Sequence, residues 1–347
     1  MPDITVIIVN FFTARLCRRA VRSVREQGMK VKVVVVDNSV DPEEVQCLRS
    51  MLEPFDVEIL ADGKNLGFSR ACNQAFQRYP AEFILLLNPD ARLLPGALNN
   101  LAGFMENNPR AGAASPRVFL DSAKTVFLPP MPVPNPHELL LEILLGDSFR
   151  RWRSIRYRKK ALSFWQTHRP LRQDLLSGGV LFVRRKALED AGGLFDERFF
   201  MYFEDADLCR RLRKLKWDLF LVPSAEGVHL YDQAPDSGHK AAYFERSMEQ
   251  YFRKHHFTWW FLARRFSASP PRPIWQSFMK KDTMPAFFHV PGAVREGAWC
   301  FEFSPNRDLF PAGGVFGKGP CLEFSSEAWN ALKPEKEYFY RFTPLPG

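Results

Sequence analysis

Residues 31–38 have the sequence VKVVVVDN, a β-branched run interrupted only by Lys32 that stops at an aspartate and an asparagine. Such a run predicts a parallel strand that is buried on both faces. A second run, Ile4 to Val9, stops at Asn10, and apolar residues between the two runs recur at helical spacing. The two runs and the helix between them predict a βαβ unit. We therefore expect an α/β fold with a Rossmann-like, mostly parallel central sheet and flanking helices.

Polar residues follow several of the predicted strands. Asn10 and Asp37 follow the first two runs, and a third buried run, Phe83 to Leu87, is followed by Asn88 and Asp90. In open α/β sheets, ligands bind beyond the carboxyl ends of the strands. These four polar residues are therefore candidate ligand-binding residues.

The length of 347 residues predicts about two domains. The α/β patterning covers residues 1–268, which we divide into a first half (1–126), an insertion (127–173) and a second half (174–268). Between residues 127 and 172 the regular order breaks down, beginning with a cluster of prolines that cannot lie within a helix or a central strand. After a proline-rich linker, residues 274–347 carry short aromatic runs separated by Gly and Pro. That pattern predicts a small all-β, sandwich-like accessory domain.

The net charge of +9 is concentrated in the insertion, where residues 148–172 contain nine basic residues and no acidic one. A nucleic-acid-coating protein usually spreads its basic surface over a whole fold, so we expect no nucleic-acid partner. Trp152, Tyr157, Phe164 and Trp165 are interleaved with the basic residues. The stretch is typical either of an anionic membrane surface contact, of single-strand stacking, or of a solvated mobile loop; we favour the membrane contact.

The N-terminus lacks the features of a signal peptide, and the six cysteines have no zinc or disulfide spacing. No apolar run is long enough to span a membrane. We therefore expect a cytoplasmic protein, peripheral at the inner face of the membrane if the basic stretch docks there.

Taken together, eight short motifs resemble family 2 glycosyltransferases, which have the GT-A fold, and most of all their bacterial rhamnosyltransferase-like branch. The resemblance covers about residues 1–266. The motifs are VIIVN (6–10), VVDNS (35–39), NLGF (65–68), ACN (71–73), LNPDA (87–91), LSGG (176–179), FEDADLCRR (203–211) and VH (228–229).

The resemblance implies a Mg²⁺ or Mn²⁺ cofactor that neutralises the diphosphate of a nucleotide-sugar donor. The family carries an Asp-x-Asp motif where this chain has Asn88-Pro89-Asp90, which makes Asp90 the metal ligand. His229 occupies a position where some members have an additional metal ligand. A simple turn is the alternative for Asn88 to Asp90, and a structural role is the alternative for His229.

Donor binding is implied for Asn10, Asp37, Asn88 and Asp90 at the strand ends. A carboxylate such as Asp37 can accept the N3 hydrogen of uracil or thymine, and the alternative is an Asx turn or helix cap. The resemblance also places Asn65, Gly67 and Arg70 near the nucleotide and Gly178 near the sugar. Arg211 could meet the leaving diphosphate or form an intramolecular ion pair. For the other residues, the alternatives are a loop glycine, a tight turn and a solvated arginine.

Glu204, Asp205 and Asp207 place three carboxylates in four residues. Crowded carboxylates disfavour each other's ionisation, which suits proton transfer. The family's base maps to Asp205, with Glu204 beside it at the acceptor. Helix capping is the alternative for all three.

The sequence thus predicts an inverting glycosyltransferase that acts in cell-surface polysaccharide biosynthesis. It would transfer a sugar, rhamnose from a dTDP donor in the first instance and otherwise a UDP-sugar, to a saccharide or lipid-linked acceptor. The alternative is a non-catalytic protein of the same fold that binds glycan through the C-terminal β module.

Overall fold

The computed structural model describes residues 2–231, 233–235, 238–264, 278–280, 287–333 and 336–345. Contacts divide the chain into two compact units. The first contains Met1–Arg117 and Thr167–His256, and the second contains Val118–Gln166 and Phe257–Gly347. Most of the insertion, which we expected within the first domain, therefore groups with the C-terminal region. The linker at 269–273 lies outside the described residues.

The elements follow one another in this order. The first part of the chain contains β1 (Ile4–Asn10), α1 (Ala14–Arg25), β2 (Lys32–Asp37), α2 (Pro42–Leu52), β3 (Glu58–Leu60), α3 (Gly67–Arg78), β4 (Phe83–Leu87), β5 (Ala91–Leu93), α4 (Ala97–Asn107) and β6 (Ala111–Phe119). Then come β7 (Val126–Phe127), α5 (Pro136–Leu145), α6 (Asp147–Gln166), β8 (Leu171–Arg172), β9 (Val180–Arg184), α7 (Arg185–Asp190), α8 (Glu204–Lys214), β10 (Asp218–His229) and α9 (Lys240–Arg264). The last elements are β11 (Phe278–Lys280), β12 (Phe287–His289), β13 (Ala298–Ser304), β14 (Gly313–Lys318), β15 (Cys321–Glu323), α10 (Ser326–Ala331) and β16 (Glu337–Pro344).

The sheet of the first unit has a parallel half, in which β4, β1, β2 and β3 are neighbours in that order. Asn10 at the end of β1 is paired in register with Asp37 at the end of β2. Of these strands, β1, β2 and β4 are buried almost along their whole length because helices cover both faces, whereas the edge strand β3 is buried only at Leu60. Cys17, Ala20 and Val24 of α1 pack in the same core. The predicted α/β class with a mostly parallel central sheet is confirmed.

The second half of this sheet is antiparallel, and it brings two more chain segments to the same edge. β9 runs antiparallel to β4, with Val180 opposite Leu87. The residues just before β9 therefore lie at the carboxyl end of β4. β10 runs antiparallel to β5, with His229 opposite Ala91. The ends of β1, β2, β4 and β10 and the start of β9 all supply residues to the site.

The second unit contains a sheet in the order β11, β16, β13, β14, β7 and a two-stranded sheet of β12 and β15. Aromatic residues of β13 and β16, including Trp299, Phe301 and Phe339, are buried. These residues form a core and are not a sugar-binding surface. The C-terminal region is β-rich, as predicted.

The expectation of irregular structure between residues 127 and 172 is wrong for residues 136–166, which form α5 and α6. Asn135 caps α5 by accepting the His137 N–H, and Pro136 occupies the first turn, where proline is tolerated. On α6, Arg158 and Arg341 of β16 both pair with Glu302, which is 1% exposed. Trp165 packs on Gly314. These contacts fix the helix although it is strongly basic.

Candidate active site

Asp90 and His229 form a close pair at the carboxyl end of β4. The Nε2 atom of His229 lies 3.1 Å from Oδ1 of Asp90, and both side chains are less than a tenth exposed. The loop 88–90 is anchored because the Asn88 N–H donates to the Gly179 carbonyl and the Leu230 N–H donates to the Asp90 carbonyl. The residues 88–90 do form a turn, but the turn also presents Asp90 to His229.

The chemistry of this pair suits a divalent cation. His229 Nε2 is buried and lies 3.1 Å from Asp90 Oδ1, but it has no hydrogen-bond partner that meets geometric criteria among the described residues. Burial raises the pKa of Asp90, but the His229 imidazole and the Gln233 N–H lower it by a larger amount. The pKa of Asp90 therefore lies below its usual value. A carboxylate and an imidazole nitrogen are both ordinary ligands for Mn²⁺. The residues present therefore fit the predicted ion.

Two protein ligands are fewer than a metal ion requires. No group of three or more His, Cys, Asp or Glu side chains with metal-binding geometry exists in the part of the chain that the structure describes. An ion held by Asp90 and His229 would leave most of its coordination sphere to water and to the oxygens of a diphosphate. Asn88, at the first position of the expected Asp-x-Asp motif, explains the missing carboxylate.

Asp205 is the second acidic centre and begins the first turn of α8. Its Oδ2 accepts the Gly178 N–H at 3.0 Å, and its Oδ1 accepts the Ala206 N–H at 2.7 Å. The two residues before Glu204, Tyr202 and Phe203, both have positive φ, 72° and 65°. Such backbone strain is typical of functional sites, where surrounding contacts hold it in place.

Glu204 and Asp205 have different environments although they are adjacent. Glu204 is 7% exposed, and its Oε2 has no hydrogen-bond partner among the described residues. Burial, and then the charge of Asp205, raise the pKa of Glu204 to about 8. Burial also raises the pKa of Asp205, but the N–H groups of Gly178 and Ala206 stabilise its charged form. Asp205 is therefore the carboxylate of the pair, and Glu204 holds the proton near neutral pH.

Asn10, Asp37 and Ser39 form a hydrogen-bonded cluster at the ends of β1 and β2. Asn10 Nδ2 donates to Asp37 Oδ1 at 2.7 Å, and the Ser39 hydroxyl lies 2.7 Å and 2.8 Å from the two Asp37 oxygens. The Ser39 N–H also points to Asp37. Asp37 thus makes the local turn contacts that were the alternative interpretation, and these contacts orient its carboxylate at the strand end.

Asn65 and Gly67 shape the start of α3. Asn65 Oδ1 accepts the Gly67 N–H at 3.0 Å, and Asn38 Nδ2 donates to the Gly67 carbonyl at 3.1 Å. Gly67 has φ +76°, and a Cβ there would lie 2.5 Å from the Phe200 ring. Only glycine fits at this position.

The two arginines predicted at the phosphates are engaged with protein groups. Arg70 pairs with Glu197 at 3.4 Å, both side chains being about half exposed. Arg211 Nε donates to Asp207 at 2.8 Å, and its other nitrogens donate to the carbonyls of residues 191, 193 and 194. This arrangement is the intramolecular ion pair that the sequence left open, so we no longer include Arg211 among the donor-binding candidates.

Asp207 forms a buried ionic centre that the sequence reasoning missed. It is fully buried and also contacts Lys254 Nζ at 2.6 Å and His255 Nε2 at 2.7 Å, both on α9. Burial alone raises its pKa, but the hydrogen bonds from these residues and Arg211 lower it to about 2. No short-range pattern links residues 207 and 254, so only the tertiary structure reveals that Asp207 anchors α8 to α9.

The overall fold has counterparts among solved structures. The crystal structure of GalNAc-T7 with UDP, GalNAc and Mn²⁺ superposes with a TM-score of 0.51 at 14% identity, covering 76% of this chain and 50% of that one. A mannosyltransferase from Pyrobaculum calidifontis, in complex with GDP-Man and Mn²⁺, gives a TM-score of 0.46 at 18% identity over 78% and 68% of the two chains. The first likeness identifies the fold as the GT-A type, as predicted.

A family model and a curated relative define the class of the chain as a glycosyltransferase. The family model described as glycosyltransferase like family 2 matches residues 2–265, so the chain belongs to that family. A relative from Mycobacterium tuberculosis (strain CDC 1551 / Oshkosh) is 34% identical over 226 residues, which are 61% of this chain and 68% of the relative. That relative is an N-acetylglucosaminyl-diphospho-decaprenol L-rhamnosyltransferase. The predicted family and enzyme class are confirmed.

Proposed function

We propose that the chain is an inverting, divalent-metal-assisted glycosyltransferase with Asp205 as its base. The observation that carries this proposal is the segment Gly178-Gly179. The Gly178 N–H holds the Asp205 carboxylate, and Gly179 packs directly against His229 of the metal-ligand pair. The proposed base and the groups that would hold the donor's diphosphate therefore contact two adjacent residues of the chain.

The reaction needs both centres. The Asp205 carboxylate accepts the proton of an acceptor hydroxyl as that oxygen forms a bond to the anomeric carbon of the donor sugar. The bond between the anomeric carbon and the diphosphate oxygen breaks, and the electron pair leaves with the nucleotide diphosphate. Asp90 and His229 would hold a Mg²⁺ or Mn²⁺ ion, whose positive charge would offset the charge on the departing diphosphate.

Glu204 has a supporting role in this proposal. It is neutral near pH 7 and carries a proton, so it can donate a hydrogen bond to an acceptor oxygen. A second negative charge beside Asp205 would instead raise the cost of the ionised base. On the donor side, the Asp37 carboxylate, oriented by Asn10 and Ser39, would accept the N3 hydrogen of a thymine or uracil ring. Asn65, Gly67 and Arg70 would lie along the nucleotide.

The donor and acceptor are inferred from the relative. Its name supports rhamnose as the transferred sugar and an N-acetylglucosaminyl-diphospho-polyprenol as the acceptor. The dTDP carrier of the rhamnose is the donor that the sequence predicts. The non-catalytic alternative, to which the sequence assigned no residue, is less well supported, because Trp299, Phe301 and Phe339 of the C-terminal sheet are buried and not available to bind a glycan.

A direct assay tests this function. The full chain is incubated with the polyprenol-linked acceptor, Mn²⁺ and each of a set of nucleotide sugars, and the lipid product is analysed by mass spectrometry. We expect addition of one deoxyhexose with dTDP-rhamnose, loss of product in excess chelator, and inversion at the anomeric carbon. Retention of configuration, or full activity in chelator, would overturn the mechanism.

A further inference from the structure

The hairpin of α5 and α6 keeps an apolar surface in solvent. Leu141, Leu144 and Leu145 of α5 are 39%, 68% and 56% exposed, and Trp152 and Ile155 of α6 are 50% and 52% exposed. We call these five side chains the hairpin face. The three leucines are spaced i, i+3 and i+4, so they lie on one side of α5. Single exposed apolar residues need no explanation, but five in one hairpin indicate an interaction surface.

Several arginines of the hairpin form ion pairs with acidic residues of the second unit, and these pairs hold the hairpin in place. Glu142 of α5 pairs with Arg150 at 2.8 Å and with Arg153 at 2.7 Å. Arg153 also pairs with Asp308 at 2.7 Å. Tyr157 and Trp165 are buried. The predicted membrane contact therefore cannot involve the whole stretch 148–172, because many of these side chains face the interior.

A smaller set of cations remains on the solvent side of α6. Arg151, Lys159 and Lys160 are exposed, and they form no ion pair with any residue for which the structure gives a position. The guanidinium of Arg156 lies over the ring of Trp152, 5.2 Å from its centroid. Exposed cations thus flank the exposed tryptophan and isoleucine on the same helix.

We propose that the hairpin face docks onto an anionic membrane surface. The leucines and Ile155 enter the boundary between headgroups and acyl chains, Trp152 lies at the headgroup level, and Arg151, Lys159 and Lys160 contact lipid phosphates. A second copy of the chain is a poorer occupant because it would bring these like charges together. Nucleic acid would engage the cations but would leave the leucines exposed. The proposal concerns binding alone and does not depend on the reaction assigned above.

Vesicle sedimentation of the full chain tests the proposal. Phosphatidylcholine vesicles with and without phosphatidylglycerol are compared at low and high salt, with no nucleotide sugar present. We expect binding only to the anionic vesicles and weaker binding at high salt. The triple variant R151Q/K159Q/K160Q is expected to bind roughly a hundred-fold more weakly, about five-fold for each charge removed. The control R15Q/R18Q/R19Q removes three exposed charges of α1 and is expected to bind like the wild type.

The apolar side chains of the hairpin face are tested by a second variant with its own control. L144D/L145D is expected to abolish binding, whereas L215D, which changes a leucine that is 49% exposed at the end of α8, is expected to leave it intact. All these side chains are on the surface, so thermal unfolding should be unaffected. Brominated lipid should also quench wild-type tryptophan fluorescence, and most of this quenching should disappear in W152F.

Several results would overturn the docking proposal. They are absence of vesicle binding, equal binding to neutral and anionic vesicles, and equal losses in the hairpin and control variants. A change of molecular mass in solution on L144D/L145D substitution would assign the hairpin face to a second copy. Displacement of the chain from vesicles by a single-stranded oligonucleotide at comparable affinity would assign the cations to nucleic acid.

Discussion

Gly179 packs so closely on His229 that a Cβ at this glycine would lie 2.5 Å from the imidazole Cε1. The neighbouring Gly178 has a different environment, because its Cβ would lie 3.4 Å from the Cβ of Asp205, an ordinary contact. Two adjacent glycines therefore contact the two centres of the site, and a side chain would be tolerated at Gly178 but not at Gly179. The first centre is the candidate metal pair and the second is the candidate base.

This difference predicts the effects of two alanine substitutions. Gly179→Ala is expected to displace the His229 ring and weaken Mn²⁺ binding about ten-fold or more, as changes in the support of a metal ligand do. Gly178→Ala is the matched control and should retain wild-type metal affinity. Calorimetric titration with Mn²⁺ in the presence of dTDP measures both. Equal metal affinities in the two variants would contradict the assignment of His229.

Removal of the imidazole itself gives a second prediction. His229→Ala should raise the Mn²⁺ concentration needed for half-maximal activity by roughly ten- to a hundred-fold. Saturating metal should restore part of the rate, since Asp90 is still present. His168→Ala, at an exposed position, serves as the control. If His229→Ala has the same metal dependence as the wild type, the imidazole is structural.

The raised pKa of Glu204, about 8, predicts a pH dependence of stability. Between its ordinary value of 4.5 and about 8, the folded state holds a proton that the unfolded state has released. The free energy of unfolding therefore falls as pH rises through this window, by at most about 1.4 kcal/mol per pH unit from this group. Glu204→Gln removes this contribution. Chemical denaturation at several pH values should show that the variant's stability relative to the wild type increases from pH 5 to pH 8; a constant difference would rule out a protonated Glu204.

The buried contacts of Asp207 predict a structural effect. Asp207→Asn leaves Arg211, Lys254 and His255 without their shared carboxylate, so it should lower the free energy of unfolding by about 3–5 kcal/mol. The folded pKa of Asp207 is lowered to about 2, so its contribution is present above 3.8 and is lost as pH falls toward 2. The difference in the free energy of unfolding between Asp207→Asn and the wild type should therefore become smaller in acid. Denaturant titration measures it, and a loss below 1 kcal/mol at neutral pH would show that the cluster contributes little.

Much of the fold could be predicted from the sequence because its signals are local. The valines of β2 and the polar residues at the ends of β1, β2 and β4 indicate a parallel sheet and its ligand edge without any tertiary information. The pairing of Asn10 with Asp37 follows from that register. The candidate site residues Asp90 and Asp205 each lie in a short motif, so the sequence could single them out; their roles stay predictions.

The remaining features depend on contacts between distant parts of the chain. Arg211 follows the acidic cluster and suggested a phosphate contact, but the buried carboxylate of Asp207 and three carbonyls use its donors. A solvated mobile loop was one of the alternatives that the sequence left open for the basic stretch. Its acidic partners, Asp308 and Glu302, lie more than a hundred residues away in the sequence, and pairing with them stabilises a helix.

The role of Asp205 as the base is tested most directly by the sugar-transfer rate of Asp205→Asn compared with that of the wild type. The amide is nearly the same size and cannot accept the acceptor's proton as a carboxylate does. We expect kcat to fall about a hundred- to ten-thousand-fold, while donor affinity by thermal shift and the unfolding temperature stay at or above wild-type values. A transfer rate within ten-fold of the wild type, with normal donor binding, would contradict it.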